Sequence, residues 1–318
     1  MKKSLLALAA LTAFAGVASA QSSVTLFGIV DLNVRNTKTG PNTVKSLSQD
    51  GIASSRLGFR GVEDLGGGLR AGFWLEGAIN PDTGTPGGQS WQRRSTVSLM
   101  GGFGELRLGR DYTPSFWNYT VFDPFGTNGV AAMSQAVGQL GSGATTFVRA
   151  NNSVGYFLPA AGGLYGQVQV AAGENVTGNK YTGGRIGYAG GPVNVAVAIG
   201  KTDRTGAMID DYSDSNIGGS VKFGSFTLMG QYSKRDYSTL DEKTILLGGV
   251  LAIGAGNLKL AYTKTDGATS ALDIKVLGIG YDYNLSKRTA LYGTYGKVDR
   301  VPANTDTTAY EFGIRHAF

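Results

Sequence analysis

Alternation of apolar and polar residues, interrupted by connections of two different lengths, is the feature from which the fold of this chain can be predicted. Residues 193–199 and 258–262 alternate cleanly, and the last segment places Tyr310, Phe312 and Ile314 on one face. A side-chain period of two predicts β-strands with one apolar face. Short glycine-rich turns and longer polar loops follow one another in order, which favours an antiparallel up-and-down sheet.

Seven short turns and eight longer loops separate the alternating segments. The turns are residues 63–68, 101–104, 159–163, 190–192, 224–225, 254–256 and 284–287. The loops are residues 36–54, 80–92, 113–148, 174–179, 202–214, 236–242, 266–271 and 299–306. Fifteen connections join sixteen strands. An even count with both termini on the short-turn side predicts an all-β fold, a 16-stranded antiparallel transmembrane β-barrel with short periplasmic turns and long extracellular loops.

A soluble β-sandwich is the alternative to the barrel. Sandwiches rarely combine such short turns with such long loops in strict order over sixteen strands. A closed barrel also leaves no sheet edge, and a bilayer requires this because an unpaired backbone group there costs several kcal/mol.

The first twenty residues have the features of a secretory signal peptide. Lys2 and Lys3 form a positive start, residues 5–17 are apolar, and residues 18–20 read Ala-Ser-Ala. This order predicts cleavage before Gln21. A transmembrane anchor is the alternative, but the apolar run is shorter than the roughly 20 residues that a spanning helix needs. We therefore divide the chain into a signal peptide, 1–20, and an outer-membrane barrel, 21–318.

Composition narrows the possible function further. The chain has no cysteine, which excludes a disulfide staple and a thiolate metal site. Its net charge is +6, or +4 without Lys2 and Lys3, and its basic residues form no run, so we predict no nucleic-acid partner. The 50 glycines suit many tight turns and closely packed strands. We predict no cofactor and no metal site.

Several segments resemble the general, trimeric porin family of Gram-negative outer membranes, and its betaproteobacterial branch in particular. They are residues 23–31 (SVTLFGIVD), 55–69 (SRLGFRGVEDLGGGL) and 103–110 (FGELRLGR), Arg149 with residues 152–156 (NSVGY), and the terminal Phe318. The resemblance spans the whole mature chain, and the order and spacing of the segments make it specific. It implies a homotrimer whose third long loop folds into the barrel. It also implies a constriction formed by Arg56, Arg94 and Arg149 opposite Glu76, and recognition of Phe318 by the barrel-assembly machinery.

The third loop, residues 113–148, has its own signs of insertion. It is far longer than an ordinary hairpin loop, and a sixteen-stranded barrel encloses a lumen wide enough to receive it. Its apolar residues would serve as anchors: Phe116, Trp117, Tyr119, Phe122, Phe125 and Met133. An exposed surface loop is the alternative, but it would not need such anchors.

Arginine is concentrated in the first part of the chain, where nine of fifteen lie in residues 21–150. Alternation predicts that seven of them face the lumen, because the opposite phase would place each against lipid at about 2–4 kcal/mol. These are Arg35, Arg56, Arg60, Arg70, Arg94, Arg107 and Arg149. The acids predicted to line the pore are Asp31, Glu76, Asp111 and, on the third loop, Asp123. Since the first six strands are contiguous, the arginines form one basic wall, which predicts a preference for anions. Individual arginines could instead pair with acids and brace the wall.

We therefore predict a porin, a water-filled channel for passive diffusion of ions and small hydrophilic solutes, and not an enzyme. A substrate-specific channel is one alternative, but it would show an aromatic path along the lumen. A barrel hydrolase is another, but the single histidine, His316, falls on the outward phase and no hydrolase motif is present. The predicted location is the outer membrane. The predicted partners are outer-membrane lipid and lipopolysaccharide, two further copies of the chain, the barrel-assembly machinery and small anionic solutes.

Overall fold

One closed antiparallel sheet accounts for almost the whole architecture. The computed structural model describes residues 23–87, 90–138, 140–176, 178–203, 210–301 and 303–318, and the predicted signal peptide lies outside these ranges. Neighbouring strands pair in chain order, and the first strand pairs with the last in an antiparallel register. The sheet therefore closes on itself, which confirms the predicted barrel and explains how every strand finds two partners.

Within the described residues, seventeen strand segments form the barrel wall and one α-helix lies in the connection between the sixth and seventh segments. The strands are β1 Ser23–Thr39, β2 Asn42–Gln49, β3 Arg56–Gly66, β4 Leu69–Ala78, β5 Arg94–Gly101, β6 Gly104–Tyr112, β7 Arg149–Phe157, β8 Leu164–Ala171, β9 Lys180–Gly190, β10 Val193–Asp203, β11 Tyr212–Phe223, β12 Phe226–Tyr237, β13 Leu240–Ile253, β14 Gly256–Asp266, β15 Ile274–Asn284, β16 Thr289–Arg300 and β17 Thr307–Ala317. The helix, α1, is Pro114–Val121.

The second barrel strand is interrupted, so seventeen segments form sixteen barrel strands. β2 pairs with the end of β1 and β3 pairs with its beginning. At the break, the backbone N–H groups of Gly51, Ile52 and Ala53 donate to the carboxylate of Asp31 at 3.3, 3.0 and 2.8 Å. Asp31 faces inward as predicted, and its buried carboxylate holds the break in place.

Each of the seven predicted short turns overlaps the connection between two consecutive strands, although the first turn is shorter than predicted because β3 continues to Gly66. Two predicted loops are also shorter than expected. The predicted loop 36–54 is a β-hairpin over most of its length, because β1 continues to Thr39 and β2 begins at Asn42. Likewise, only two residues separate β12 from β13 within the predicted loop 236–242. Polar residues in these stretches had indicated loops, whereas strands that extend beyond a bilayer can be polar on both faces.

Alternation of exposure along the strands separates an outer from an inner surface. Val195 and Val197 of β10 are exposed, while Ala196 and Ala198 between them are buried. Most exposed large apolar residues lie on this outer surface, as a lipid-facing wall requires. Among the residues that the structure covers, no helix is long and apolar enough to cross a membrane.

Inward glycines make room for the third loop, a role that the composition alone did not indicate. A Cβ at Gly218 of β11 would lie 2.2 Å from the ring of Phe122, and a Cβ at Gly296 of β16 would lie 2.2 Å from the carbonyl oxygen of Val130. Both distances are far below van der Waals contact. The loop therefore lies directly on the glycine backbone of the inner wall.

Candidate pore constriction

The inserted loop, residues 113–148, crosses the lumen and is anchored on the far wall. Tyr119 and Met133 of the loop form one buried cluster with Tyr212 of β11 and Leu246 of β13. Burial of such side chains stabilises a packed position by about 1.5–3 kcal/mol each. The predicted insertion of the loop is confirmed, and the buried anchors include Tyr119, Phe122, Phe125 and Met133.

Polar contacts fix the orientation of α1 against the same wall. Asn118 Nδ2 donates to Asn216 Oδ1 at 2.8 Å and to the carbonyl oxygen of Ala196 at 3.2 Å. The hydroxyl of Tyr119 donates to Asp214 Oδ1 at 2.8 Å. These groups are buried, so loss of one partner would leave the other unsatisfied at a cost of about 1–3 kcal/mol. The loop is thus held in a fixed position inside the barrel.

Asp123 has a different position from the one predicted. Its side chain is buried inside the loop, where it accepts backbone hydrogen bonds from Phe125, Thr127 and Met133 at 2.9, 3.0 and 2.9 Å. Burial raises the pKa of Asp123, although the three N–H groups favour the charged form. The prediction of a pore-lining acid is therefore wrong for Asp123, which instead holds the fold of the loop. Alternation gives no information on side-chain direction outside strands.

Two guanidinium groups share the carboxylate of Glu76. Arg93 Nε lies 2.6 Å from Glu76 Oε1, and Arg56 Nη1 lies 3.3 Å from the same oxygen. The indole of Trp74 donates to the other carboxylate oxygen at 3.0 Å. Glu76 is buried, and one negative charge here faces two positive charges. The group keeps a net positive charge next to the inserted loop.

The sequence did not indicate that Arg93 belongs to this group. Because Arg94 begins β5 with its side chain inward, alternation would place Arg93 outward. The chain bends at Arg93, just before the strand, and the side chain turns toward Glu76. The only sign of this in the sequence is that Arg93 stands next to Arg94. The direction of the Arg93 side chain depends on the bend, which the sequence does not show.

Arg149 directly follows the inserted loop and is the first residue of β7. Its guanidinium stacks 4.2 Å from the ring of Tyr112, and its Nε donates to the carbonyl oxygen of Arg93 at 2.8 Å. Among the described residues, no carboxylate pairs with it. A register shift between Gly109 and Asp111 also inserts an extra residue in β7, so simple alternation does not extend back to Arg149. Tertiary contacts with the loop set its position.

Two arginines lie within cation–π distance of Trp74. Arg60 lies 5.1 Å and Arg94 lies 4.6 Å from its ring, and Arg60 also lies 5.3 Å from the ring of Phe27. A cation over an aromatic face is attracted by about 0.5–2 kcal/mol. No ion pair of Arg60 is found in the part of the chain that the structure covers. The aromatic rings therefore position this cation while leaving its charge uncompensated.

Asp111 and Glu105 compensate the next arginines along the wall. Arg107 contacts Asp111 Oδ2 at 2.5 Å and Glu105 Oε1 at 2.8 Å. Arg94 Nε lies 3.7 Å from Asp111 Oδ2. Asp111 faces inward as predicted, but Glu105 was not among the predicted acids. The two carboxylates balance the two guanidinium groups of this part of the wall.

Arg35 and Arg70 make none of the described contacts with Glu76 or Trp74. Arg35 Nη2 forms an ion pair with the buried Glu311 at 2.8 Å. Arg70 is exposed near the short turn after β3, and none of its described contacts is an ion pair. The structure therefore divides the seven predicted arginines into a braced set, Arg35, Arg56, Arg94 and Arg107, and a set with no described carboxylate partner, Arg60, Arg70 and Arg149.

The opposite wall contains basic residues that the sequence did not single out. Arg185 Nε donates to Asn118 of α1 at 2.5 Å and stacks 4.8 Å from the ring of Tyr165. Lys259 Nζ pairs with Asp282 at 2.5 Å. Arg185 could have been found by the same phase argument, because Ile186 beside it is exposed on the outer face. Arg185 therefore adds positive charge on the side of the lumen next to α1, whereas Asp282 compensates the charge of Lys259.

The amino-acid sequence of the chain is similar to that of a known protein family. The family model described as Gram-negative porin matches residues 7–302. Outer membrane porin protein 32 of Delftia acidovorans is 39% identical over 354 residues, and an outer membrane porin protein of Bordetella pertussis is 30% identical over 392 residues. Each alignment covers 100% of this chain and 100% of the relative.

Solved structures agree with the sequence relatives. The anion-selective porin from Comamonas acidovorans superposes with a TM-score of 0.87 at 34% identity, and the match covers 94% of this chain and 100% of that chain. OmpT of Vibrio cholerae has a TM-score of 0.71 at 15% identity, over 94% of this chain and 99% of that one. The second match shows the shared barrel fold only.

Proposed function

This chain belongs to the Gram-negative porin family, whose members form channels in the outer membrane, and from that premise we propose that its pore prefers small anions. The solutes are chloride, phosphate and small carboxylates that diffuse passively through a water-filled lumen. The preference comes from guanidinium groups that line the wall facing the inserted loop.

The observation that supports this proposal most strongly is the excess of guanidinium groups over carboxylates at the constriction. Arg56 and Arg93 share one carboxylate, that of Glu76. Arg60 and Arg149 are positioned by aromatic rings and a carbonyl oxygen, with no carboxylate partner among the described residues. A relative that shares 34% of its aligned sequence is named an anion-selective porin, which supports the same interpretation.

The braced arginines give the charge a fixed position. A guanidinium group held by a carboxylate or an aromatic ring cannot swing toward solvent, so a passing anion meets donors that are already oriented. Successive donors replace part of the hydration shell of the anion at each step. Weak contacts at several sites allow the ion to leave as easily as it enters, and conduction requires this.

The reversal potential in a salt gradient tests ion preference directly. Purified protein is inserted in a planar bilayer between unequal potassium chloride solutions, and we expect a potential of the sign that chloride permeation gives. Arg60→Gln and Arg149→Gln should each reduce the preference, because each removes a charge without a carboxylate partner. A potential of the cation-permeable sign for the unmodified protein would exclude anion preference.

We also propose that the chain is not an enzyme. Within the described residues no group of three potential metal ligands occurs, and the exposed His316 lies on the outer face, 2.9 Å from the hydroxyl of Thr289. A hydrolase would need a base at the lumen or its rim. Hydrolysis assays with lipid and peptide substrates, run beside the bilayer measurement, test this part of the proposal.

The assembly and export of the chain are also proposals. We propose cleavage after residue 20, and N-terminal sequencing of the mature protein tests it. We propose a homotrimer, which should migrate as a large species on SDS gels before heating and as a single chain afterwards. The terminal Phe318 pairs with Gly28 through two backbone hydrogen bonds of 3.0 and 3.1 Å, and the barrel-assembly machinery would recognise this residue before the barrel closes. Outer-membrane lipid and lipopolysaccharide would surround the wall.

A further inference from the structure

A cavity of about 360 Å³ lies on the inner wall between β1 and β6, toward the short turns of these strands. The described residues that line it include Gly72 and Trp74 of β4, which come between the short turn and Glu76. They do not include Arg56, Glu76 or Arg149. The cavity is therefore separate from the group of arginines that share the carboxylate of Glu76.

Three apolar side chains line this cavity, and we call them the apolar floor: Val62 of β3, Trp74 of β4 and Met100 of β5. All three have the inward phase of their strands, and Val62 is 41% exposed. A Cβ added to the inward Gly72 would lie 2.9 Å from Met100 Cε and 3.8 Å from Val62 Cγ2, so both side chains lie over the backbone of this glycine. The inner wall of a water-filled barrel is ordinarily polar. An accessible apolar surface at this position indicates a binding site for a solute that covers it.

Three guanidinium groups line the same cavity, and one of them lacks a carboxylate partner. Asp111 and Glu105 contact Arg94 and Arg107 at 2.5–3.7 Å and balance these two charges. Arg60 has no ion pair within the described residues, and its guanidinium lies 5.1 Å from the centre of the indole ring of the floor. One uncompensated positive charge therefore lies directly beside the apolar floor.

A simple ion or an uncharged solute would satisfy only one half of this cavity. Chloride or phosphate would bind Arg60 and leave the floor in water, whereas an uncharged apolar solute would cover the floor and leave the cation without a partner. A carboxylate bonded to an aromatic ring does both. Its two oxygens accept paired hydrogen bonds from one guanidinium, and its ring packs against the Met100 thioether and the Trp74 indole, which both attract aromatic rings. The volume lies in the range of about 300–1,000 Å³ that is usual for small-molecule sites.

We propose that this cavity binds aromatic monocarboxylates, with the carboxylate on Arg60 and the ring on the apolar floor. The proposal rests on the proposed anion preference and names a class of organic anion that the pore holds longer than other anions. An aromatic acid would stop here on its way between the Glu76 group and the short-turn end of the lumen. Arg60, Val62, Trp74 and Met100 are thus the residues that distinguish aromatic from aliphatic acids.

Block of the chloride current through single channels measures this binding. Purified protein in a planar bilayer separates equal potassium chloride solutions, and benzoate is added on both sides. Three comparison solutes separate the parts of the ligand: acetate has the charge without the ring, benzyl alcohol has the ring without the charge, and cyclohexanecarboxylate has a puckered ring in place of the flat one. We expect benzoate to halve the current at a concentration about tenfold lower than any of the three.

Two variants remove opposite parts of the proposed site. Arg60→Gln removes the cation and should raise the half-blocking concentration of benzoate about tenfold. Met100→Gln keeps the length of the side chain but replaces the thioether by a polar amide, and it should raise this concentration about threefold.

Each variant has a matched control. Met229→Gln makes the same change at an inward methionine of β12 that does not line the cavity, and it should leave benzoate block unchanged. Arg149→Gln removes an arginine that also stacks on an aromatic ring without a described carboxylate partner. It should change the half-blocking concentration by less than about twofold, because salt screens a charge outside the cavity.

The proposal is overturned if acetate or cyclohexanecarboxylate blocks as well as benzoate, or if benzoate gives no block. Equal effects of Met100→Gln and Met229→Gln, or of Arg60→Gln and Arg149→Gln, would exclude this cavity as the site. The reversal potential in a chloride gradient without benzoate reports on ion preference separately, and Met100→Gln should leave it unchanged. An anion-preferring channel that benzoate does not block would contradict the aromatic site alone.

Discussion

Replacement of Glu76 by glutamine should increase the preference of the pore for anions. The carboxylate of Glu76 lies 2.6 Å from Arg93 and 3.3 Å from Arg56, so the three groups together carry one positive charge. Glutamine keeps an oxygen that can accept from the Trp74 indole, while it raises the net charge of the group to two. The change therefore adds one positive charge beside the inserted loop.

The size of the effect depends on the distance between that charge and the path of an ion. For a distance taken as about 7 Å, a unit charge contributes about 0.6 kcal/mol in water. At about 0.1 M salt, screening reduces this value to roughly half. Because an anion is stabilised by as much as a cation is destabilised, we expect the chloride-to-potassium permeability ratio to rise about threefold at this salt concentration, and up to about eightfold in dilute salt.

The assay is the reversal potential of single channels across a salt gradient, repeated at several salt concentrations. Asp299→Asn is the matched control, because it removes the same charge from the exposed outer face of β16. The control should leave the ratio unchanged. An unchanged ratio in Glu76→Gln, or a shift toward potassium, would refute the assignment of this charged group to the ion path. A rise that does not decrease with added salt would refute the electrostatic explanation.

Two further predictions concern the inserted loop. Gly218→Ala should displace Phe122, because the new Cβ would lie 2.2 Å from its ring; we expect a loss of about 1–3 kcal/mol in thermal unfolding and a higher single-channel conductance. Gly219→Ala is its control, since the nearest atom there is 3.4 Å away, and equal effects of both variants would contradict the packing argument. Asp123→Ala should leave three backbone N–H groups of the loop unpaired at about 1–3 kcal/mol each, and limited proteolysis should then cut the loop in an intact barrel. Unchanged resistance to proteolysis would mean that this carboxylate does not hold the loop.

Local rules were sufficient to predict the barrel and the direction of most pore residues. Side-chain direction in a strand depends only on parity, so the inward positions of Asp31, Glu76 and Asp111 followed from their neighbours. The short turns could also be predicted from their glycines, because few other residues adopt the backbone conformations that tight turns require. The length and apolar residues of the third loop predicted its insertion.

Sequence patterns carried no comparable information where the backbone departs from regular alternation. Arg93 turns inward through a bend, and a bulge in β7 separates Arg149 from the parity of its own strand. Asp123 lies in a loop, where parity has no meaning, and its three backbone donors come from residues that only the folded loop brings together. The break between β2 and β3 was likewise hidden, since its polar residues resemble those of an ordinary loop.

The amino-acid sequence by itself determined that the lumen wall carries positive charge. Side-chain direction along a strand alternates locally, and an arginine that faced lipid would cost a large amount of free energy. Some of those charges are compensated by a carboxylate and others are not. Contacts between residues far apart in the sequence decide which ones remain uncompensated. Arg35 pairs with Glu311 across the seam where the barrel closes, while Arg60 stacks on Trp74 and keeps its charge free. Such pairs form only when strands far apart in the chain become neighbours, so the electrostatics of the constriction belong to the closed barrel and its inserted loop.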